Sequence, residues 1–343
     1  TDEQQSFTFT DIKTEPVPSL LRGFSAPVIL DVPYSEIDLA FLARHDTDPF
    51  NRWEAMQRLA VSAVLGVLEG ASVPSRCAQL SQAVAHALDA PDLDAAYQAL
   101  MLTLPAEGYI SEQLTLVDPV AVRQARNAVR HHLATERFDL FEKSLHLHST
   151  SGPYRADARS AGRRAMKNLS LSYLVAAQSP VHQEIALKMA TESDNMTNQA
   201  AALSILTNSN APQREPALEQ FARQFADEAL VMDKWFAVQA TMHRQPDDPP
   251  VIERVNQLMA HPAFSLKNPN RARSLIGAFC SGNLAEFHAA NGSGYEFWLT
   301  QVRALDQLNP QVASRLARAL DRWRKYDLAR QEKMQSALKA LAD

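Results

Sequence analysis

Along most of the chain, apolar residues return every three to four positions. Trp53, Met56, Leu59 and Ala60 keep the i, i+3, i+6, i+7 spacing of one buried helix face. Phe221, Phe225, Leu230, Trp235 and Phe236 repeat it across a short break. A capping side chain followed by Pro marks helix starts at Asp48-Pro49, Asp118-Pro119, Ser179-Pro180, Asn268-Pro269 and Asn309-Pro310. The Asp, Asn or Ser oxygen accepts from a free N–H of the first turn. Pro fits next because its missing N–H would be unpaired there anyway. The intervening breaks are brief, such as Glu69-Gly70, Ala90-Pro91 and the run from Gln245 to Pro250. Helices of ~10–25 residues joined this way predict an all-α, superhelical array of paired helices, HEAT- or armadillo-like. The segment from Asn268 to Leu275 is echoed from Asn309 to Leu316 at an offset of 41, within the ~40–47 period of two-helix repeats.

The first 32 residues follow a different pattern. Ser6-Phe7-Thr8-Phe9-Thr10 alternates with period two, and Pro27 to Val32 is a second β-like run. One or two strands do not make a stable sheet alone. Residues 1–32 are therefore expected to be the terminal strands of a β-sandwich domain, and 33–343 a helical domain. The start at Thr1 reads as the cut edge of a longer polypeptide.

Composition narrows the chemistry. With 343 residues, 46% of them hydrophobic, the chain can fill a large core, which excludes a mostly disordered protein. Ten Gly is well below the usual ~7%, and neither G-x-G-x-x-G nor G-x-x-x-x-G-K-[ST] occurs; Gly292-Ser293-Gly294 is expected to be a turn. Cys77 and Cys280 are too few for a disulfide framework or a Cys-based zinc site. Each is expected to be a small buried thiol, in a reducing compartment. No run of ~18 apolar residues is present, so a cytoplasmic protein without a membrane partner is expected.

Ten His are present, but no two lie four apart, so no helix carries H-E-x-x-H. His146-Leu147-His148 reads as a polar helix end, and no metal ligand and no catalytic residue are singled out. The net charge is −5, with residues 1–120 at −11 and 121–343 at +6. That balance argues against a nucleic-acid partner, and the stripe of Arg155, Arg159, Arg163, Arg164 and Lys167 reads as a solvated or ion-paired face. Arg271, Arg273 and Arg315 break a local rule, because a cation near a helix start opposes the macrodipole. A bound anion would explain them, and so would an acidic neighbour.

The residues themselves carry a resemblance from end to end. Pro16 to Val28, Phe50-Asn51-Arg52-Trp53-Glu54-Ala55, Asn195-Met196-Thr197 and Val231-Met232-Asp233-Lys234-Trp235-Phe236 take part in it. So do Asn268-Pro269-Asn270 with Arg273 to Gly277, Asn309 to Arg315, and Lys325-Tyr326-Asp327 with Arg330 to Met334. The sequence resembles the C-terminal part of the bacterial aminopeptidase N family, the alanyl aminopeptidases of the M1 (gluzincin) class. The resemblance implies the end of a small β sandwich plus the helical domain that caps the active-site chamber. It implies zinc in the parent enzyme but none in this chain, since the family's H-E-x-x-H and G-x-M-E-N motifs are both absent. This chain alone is expected to hydrolyse nothing. The implied partners are the catalytic domain of the same polypeptide and short peptide substrates. Arg273 and Arg315 match family arginines that look into the chamber near a peptide's far end, and Gln311 matches a neighbouring polar position. The alternative reading is a stand-alone HEAT-like scaffold that grips a protein partner.

Overall fold

The computed structural model describes residues 4–150 and 152–342. Up to Ser35 the described chain is extended apart from one short 3-10 turn at Arg22–Phe24. The two β-like runs form no strand, and Phe7, Phe9 and Ile29 are largely exposed. A strand needs a neighbouring ladder to pair its N–H and C=O groups, and no described segment offers one to these runs. The segment is nevertheless tied to the helices behind it. Arg22 donates to Asp46 Oδ1 and Thr47 Oγ1, each at 2.6 Å, and Arg58 Nη2 donates to the Val32 carbonyl at 2.7 Å.

Helices fill the rest. The first half holds α1 (Glu36–His45), α2 (Pro49–Leu68), α3 (Val73–Leu88), α4 (Ala95–Leu102), α5 (Glu107–Glu112), α6 (Pro119–Glu136), α7 (Phe138–His148) and α8 (Ala158–Ala176). Then come α9 (Pro180–Glu192), α10 (Met196–Thr207), α11 (Arg214–Gln224), α12 (Ala229–Ala240), α13 (Val251–Met259) and α14 (Pro269–Ala272). A π-helical turn, Arg273–Gly277, leads into α15 (Ala278–Gly282), followed by α16 (Leu284–Phe287), α17 (Ser293–Asp306), α18 (Pro310–Ala317) and α19 (Leu328–Ala342). Sequence neighbours such as α1 and α2, α7 and α8, α9 and α10, and α17 and α18 pack as pairs. Each pair stacks on the next, with α6 at the centre of the first half against α2, α3 and α8.

All five cap-Pro pairs open helices, and four use their side chains. Asp48 accepts from the N–H groups of Phe50 and Asn51, and Asp118 from those of Val120 and Ala121. Asn268 and Asn309 cap α14 and α18. Ser179 does not cap α9; its Oγ lies 2.8 Å from His182 Nδ1 instead. Leu230 departs from the expected stripe and is 70% exposed. On α12 it sits two positions, roughly 200°, from Met232, which shares the buried face with Trp235, Phe236 and Gln239. The Gly292-Ser293-Gly294 turn is shorter than expected, because α17 already begins at Ser293. Gly292 takes the left-handed conformation (φ +82) that favours glycine. Gly294 sits inside the first turn, pressed against the backbone of Phe287.

The array returns on itself. Arg123 on α6 donates to Asn283 Oδ1 at 2.8 Å, and Asn283 donates to the carbonyls of Ala240 and Met242. Farther along, Val117 N–H donates to the Lys325 carbonyl at 2.7 Å, and Val117 and Tyr326 form an isolated parallel bridge. Lys325 Nζ donates to the Glu112 carbonyl at 2.8 Å. Behind this seam, His288 is buried between two tyrosines, with Tyr295 Oη 3.0 Å from its Nδ1 and Tyr326 Oη 2.9 Å from its Nε2. A neutral imidazole has one donor and one acceptor, so one tyrosine donates and the other accepts. Burial, then the nearby Arg330, holds His288 down at a pKa of about 3, which keeps it neutral.

Candidate functional site

Arg273, Gln311 and Arg315 are all exposed, and none forms a hydrogen bond or ion pair through its side chain among the described residues. Arg273 opens the π turn. Gln311 and Arg315 stand one turn apart on α18, so they share a face. The cavity beside α18 is lined by Ala313, Ser314 and Ala317, not by Arg315. Arg271 behaves differently from Arg273. It is buried, its Nε lies 3.3 Å from Asp233 Oδ1, and its guanidinium sits 4.9 Å from the centre of the Phe236 ring. An acidic neighbour therefore accounts for Arg271. Ser274 Oγ donates to the same Asp233 carboxylate at 3.2 Å, which pins the π turn on both sides of Arg273. π turns inside helices are frequent at functional sites.

The expected basic stripe is split: Arg155 lies ahead of α8, Arg159 is exposed, and Arg155, Arg163 and Arg164 are held by local contacts. Arg155 pairs with Asp157, Arg163 donates to the Leu147 carbonyl, and Arg164 donates to the Arg155 carbonyl beneath Tyr154. His146 and His148 end α7. Among the described residues, no group of three or more His, Cys, Asp or Glu side chains is placed to hold a metal ion. The residues present do not fit a zinc site. Cys77 and Cys280 are both buried free thiols, and burial pushes Cys77 up to about 11 and Cys280 still higher. Neither is an available nucleophile.

Closure of the array creates a feature that no single segment announces. A cavity of about 690 Å³ lies where α6, the ends of α8 and α10, residues 243–252 and residues 285–293 meet. Arg123, Arg130, Arg244 and Arg330 line it, against one carboxylate, Glu286. Arg123 is neutralised by a two-pronged contact with Glu107, at 2.9 and 3.0 Å. Arg330 is paired with Asp327 at 2.5 Å. Among the described residues Arg130 donates to the Ser172 carbonyl at 2.7 Å and sits 5.9 Å from the centre of the Tyr173 ring, and Arg244 donates to the Asp248 carbonyl at 3.0 Å; neither forms an ion pair. Behind them Arg126 donates to the carbonyls of Pro105 and Leu104. Burial, then Arg123, Arg126 and Arg130, drive His243 down to about 3. The sequence carried one signal for this site: Arg123, Arg126 and Arg130 recur at three and four residues, beside the core positions Val122, Val129 and Leu133. Surplus cations next to a buried stripe point inward more strongly than an exposed basic stripe does.

A helical array of ARM-repeat type, led by an irregular N-terminal segment, is the class of protein these observations define. The model described as "Domain of unknown function (DUF3458_C) ARM repeats" matches residues 36–343, and "Domain of unknown function (DUF3458) Ig-like fold" matches residues 1–33. The chain belongs to this family and corresponds to the C-terminal region of bacterial aminopeptidase N. It is 37% identical over 99% of its length to aminopeptidase N of Escherichia coli (strain K12). Against aminopeptidase N of Haemophilus influenzae it is 35% identical over its whole length. It spans 39% of the length of each of these two relatives. A crystal structure of Legionella pneumophila aminopeptidase A in complex with aspartic acid superposes with a TM-score of 0.87. That match is at 32% identity and covers 98% of this chain and 40% of that one.

Proposed function

We propose that this chain caps the substrate chamber of a zinc-dependent, broad-specificity aminopeptidase and grips the far end of short peptides. In that reading the zinc and the reacting groups belong to a catalytic domain of the same polypeptide. The helical array closes the chamber and limits which peptides enter. Arg273 and Arg315 act as anchors, with Gln311 beside Arg315 as a hydrogen-bonding neighbour. The observation that carries the anchor role is the state of the two guanidiniums. Both are exposed and unpaired among the described residues, whereas Arg271, two residues before Arg273, is buried against Asp233. A free guanidinium holds a carboxylate through two parallel bonds, or donates to a single carbonyl oxygen. Gripping the peptide away from the reacting bond fixes its register and so helps position the scissile carbonyl.

The test uses the full-length enzyme. Arg315→Ala is expected to lower kcat/KM for tri- and tetrapeptides about tenfold, the worth of one charged hydrogen bond of ~1.4 kcal/mol. An aminoacyl-anilide, too short to reach Arg315, is expected to be turned over as before. An equal loss on both substrates would remove the anchor role.

A further inference from the structure

The cavity at the closure of the array has a charge problem that the fold does not solve internally. Arg130 and Arg244 both line it, and neither forms an ion pair among the described residues. Arg126, immediately behind, also bonds only to carbonyls. The one carboxylate in the lining, Glu286, is already engaged: its Oε2 accepts the Val251 N–H at 3.0 Å at the start of α13. Stacking guanidiniums around a partly enclosed space costs self-repulsion and desolvation unless an anion joins them. Burial lowers the pKa values of Arg126 and Arg130 against the opposing pull of Glu107 and Tyr173 on the first and of Tyr173 on the second, while His243 is lowered by burial and then by the guanidiniums of Arg123, Arg126 and Arg130.

The remaining lining defines what kind of anion fits. Asn127, Asn208, Asn210 and Gln245 offer amides, which can donate and accept. Phe, Tyr and Trp are absent from the lining among the described residues, and its two rings are the imidazoles of His131 and His243, so no large aromatic face is offered to a base. The volume of about 690 Å³ is that of an ordinary small-molecule site and exceeds what a single monatomic anion needs.

We propose that this cavity is a binding site for a small, non-aromatic polyanion bearing carboxylate or phosphate groups, held by Arg130 and Arg244 and by the amides around them. The site is separate from the chamber-wall role of Arg273 and Arg315 and stands whether or not that role does. Its ligand oxygens take the guanidinium hydrogens that the protein leaves unused, and its charge offsets the α6 arginines.

The test is calorimetric titration of the 343-residue chain with citrate and, in a separate arm, with pyrophosphate, at low salt. Saturable binding of at least one of them is expected, weakening steadily as salt is raised. Arg130→Gln is expected to weaken it about tenfold and Arg244→Gln at least threefold, by loss of a charge-assisted bond. Arg318→Gln removes an exposed guanidinium paired with Asp321, away from the cavity, and is expected to leave the affinity unchanged. Thermal melting checks that each variant is folded. If Arg130→Gln does not fold, the exposed Arg244 and the salt series decide. The proposal is overturned if neither anion binds at ~10 mM. It is equally overturned if binding ignores salt, if Arg244→Gln leaves it intact, or if Arg318→Gln weakens it as much as Arg244→Gln does.

Discussion

Replacing Gly294 with Ala adds one methyl group where α17 meets the end of α16. The new Cβ would stand 2.9 Å from the Phe287 carbonyl carbon, 3.1 Å from its Cα, and closer still to its oxygen. All three are backbone atoms, so no side chain can swing aside. Relief requires α17 to back away by roughly an ångström, which opens gaps around Tyr295 and Trp298, each 1% exposed or less. Overpacking of this kind costs about 1–3 kcal/mol, and more when a packed backbone must move. We expect a loss of about 3 kcal/mol. Gly277→Ala is the internal contrast. It lies in helical backbone, and its added Cβ would meet nothing closer than 3.9 Å. There the same methyl group lowers the entropy of the unfolded chain and should stabilise by about 0.5 kcal/mol. Urea unfolding of both variants reads the difference, provided the m-value is unchanged. A Gly294→Ala midpoint at or above the wild-type value would refute the argument.

Two further outcomes follow from buried charge. His243 and His288 are each held at about 3, and burial also lowers His45, His148 and His182. A histidine with a folded pKa below its unfolded value contributes stability above pH ~6.5 and loses it as pH falls, by about 1.4 kcal/mol per unit. Unfolding free energy should therefore drop between pH 7 and pH 5, by about 2 kcal/mol for His288 alone; a flat profile in that window would contradict the buried neutral state. Glu107→Gln leaves Arg123, with a side chain only 10% exposed, without its carboxylate and should cost about 3 kcal/mol in urea titration. Glu112→Gln breaks pairs to Arg322 and Lys325 at a side chain 44% exposed and should cost under about 1 kcal/mol.

The helical array was legible in the chain because its signals are local. Asp48, Asp118, Asn268 and Asn309 cap their own helices from within three residues, and a Pro follows each. Leu230 was misread because a stripe drawn across a break ignores the change of helix phase between α11 and α12. The N-terminal alternation is real in the sequence, but a strand is a property of two segments and the second is not among the described residues. The anchor candidates came from a family match and from a helix-start rule that does not hold for Arg315, which lies in the last turn of the eight-residue α18, where a cation suits the dipole. That rule separated Arg271 from Arg273 no better than chance would, since only the fold brings Asp233 to one of them. The polar cavity was hidden for a deeper reason. Its walls come from segments more than a hundred residues apart, and beyond the spacing of Arg123, Arg126 and Arg130 on α6 nothing local marks them as facing one space.

The seam between Glu112–Val117 and Lys325–Tyr326 changes what kind of polymer the array is. In an open solenoid every unit feels only its neighbours, so units can be removed from an end or melt one at a time. Here Lys325 Nζ reaches a carbonyl 213 positions away, so the last helices are also neighbours of the fifth and sixth. Loss of the chain's end then unseats its middle, and the ladder behaves as a hoop. Such long-range closure must wait for most of the chain to be in place and slows folding. It also makes the array stiff against stretching, because its two halves cannot separate without first breaking the seam.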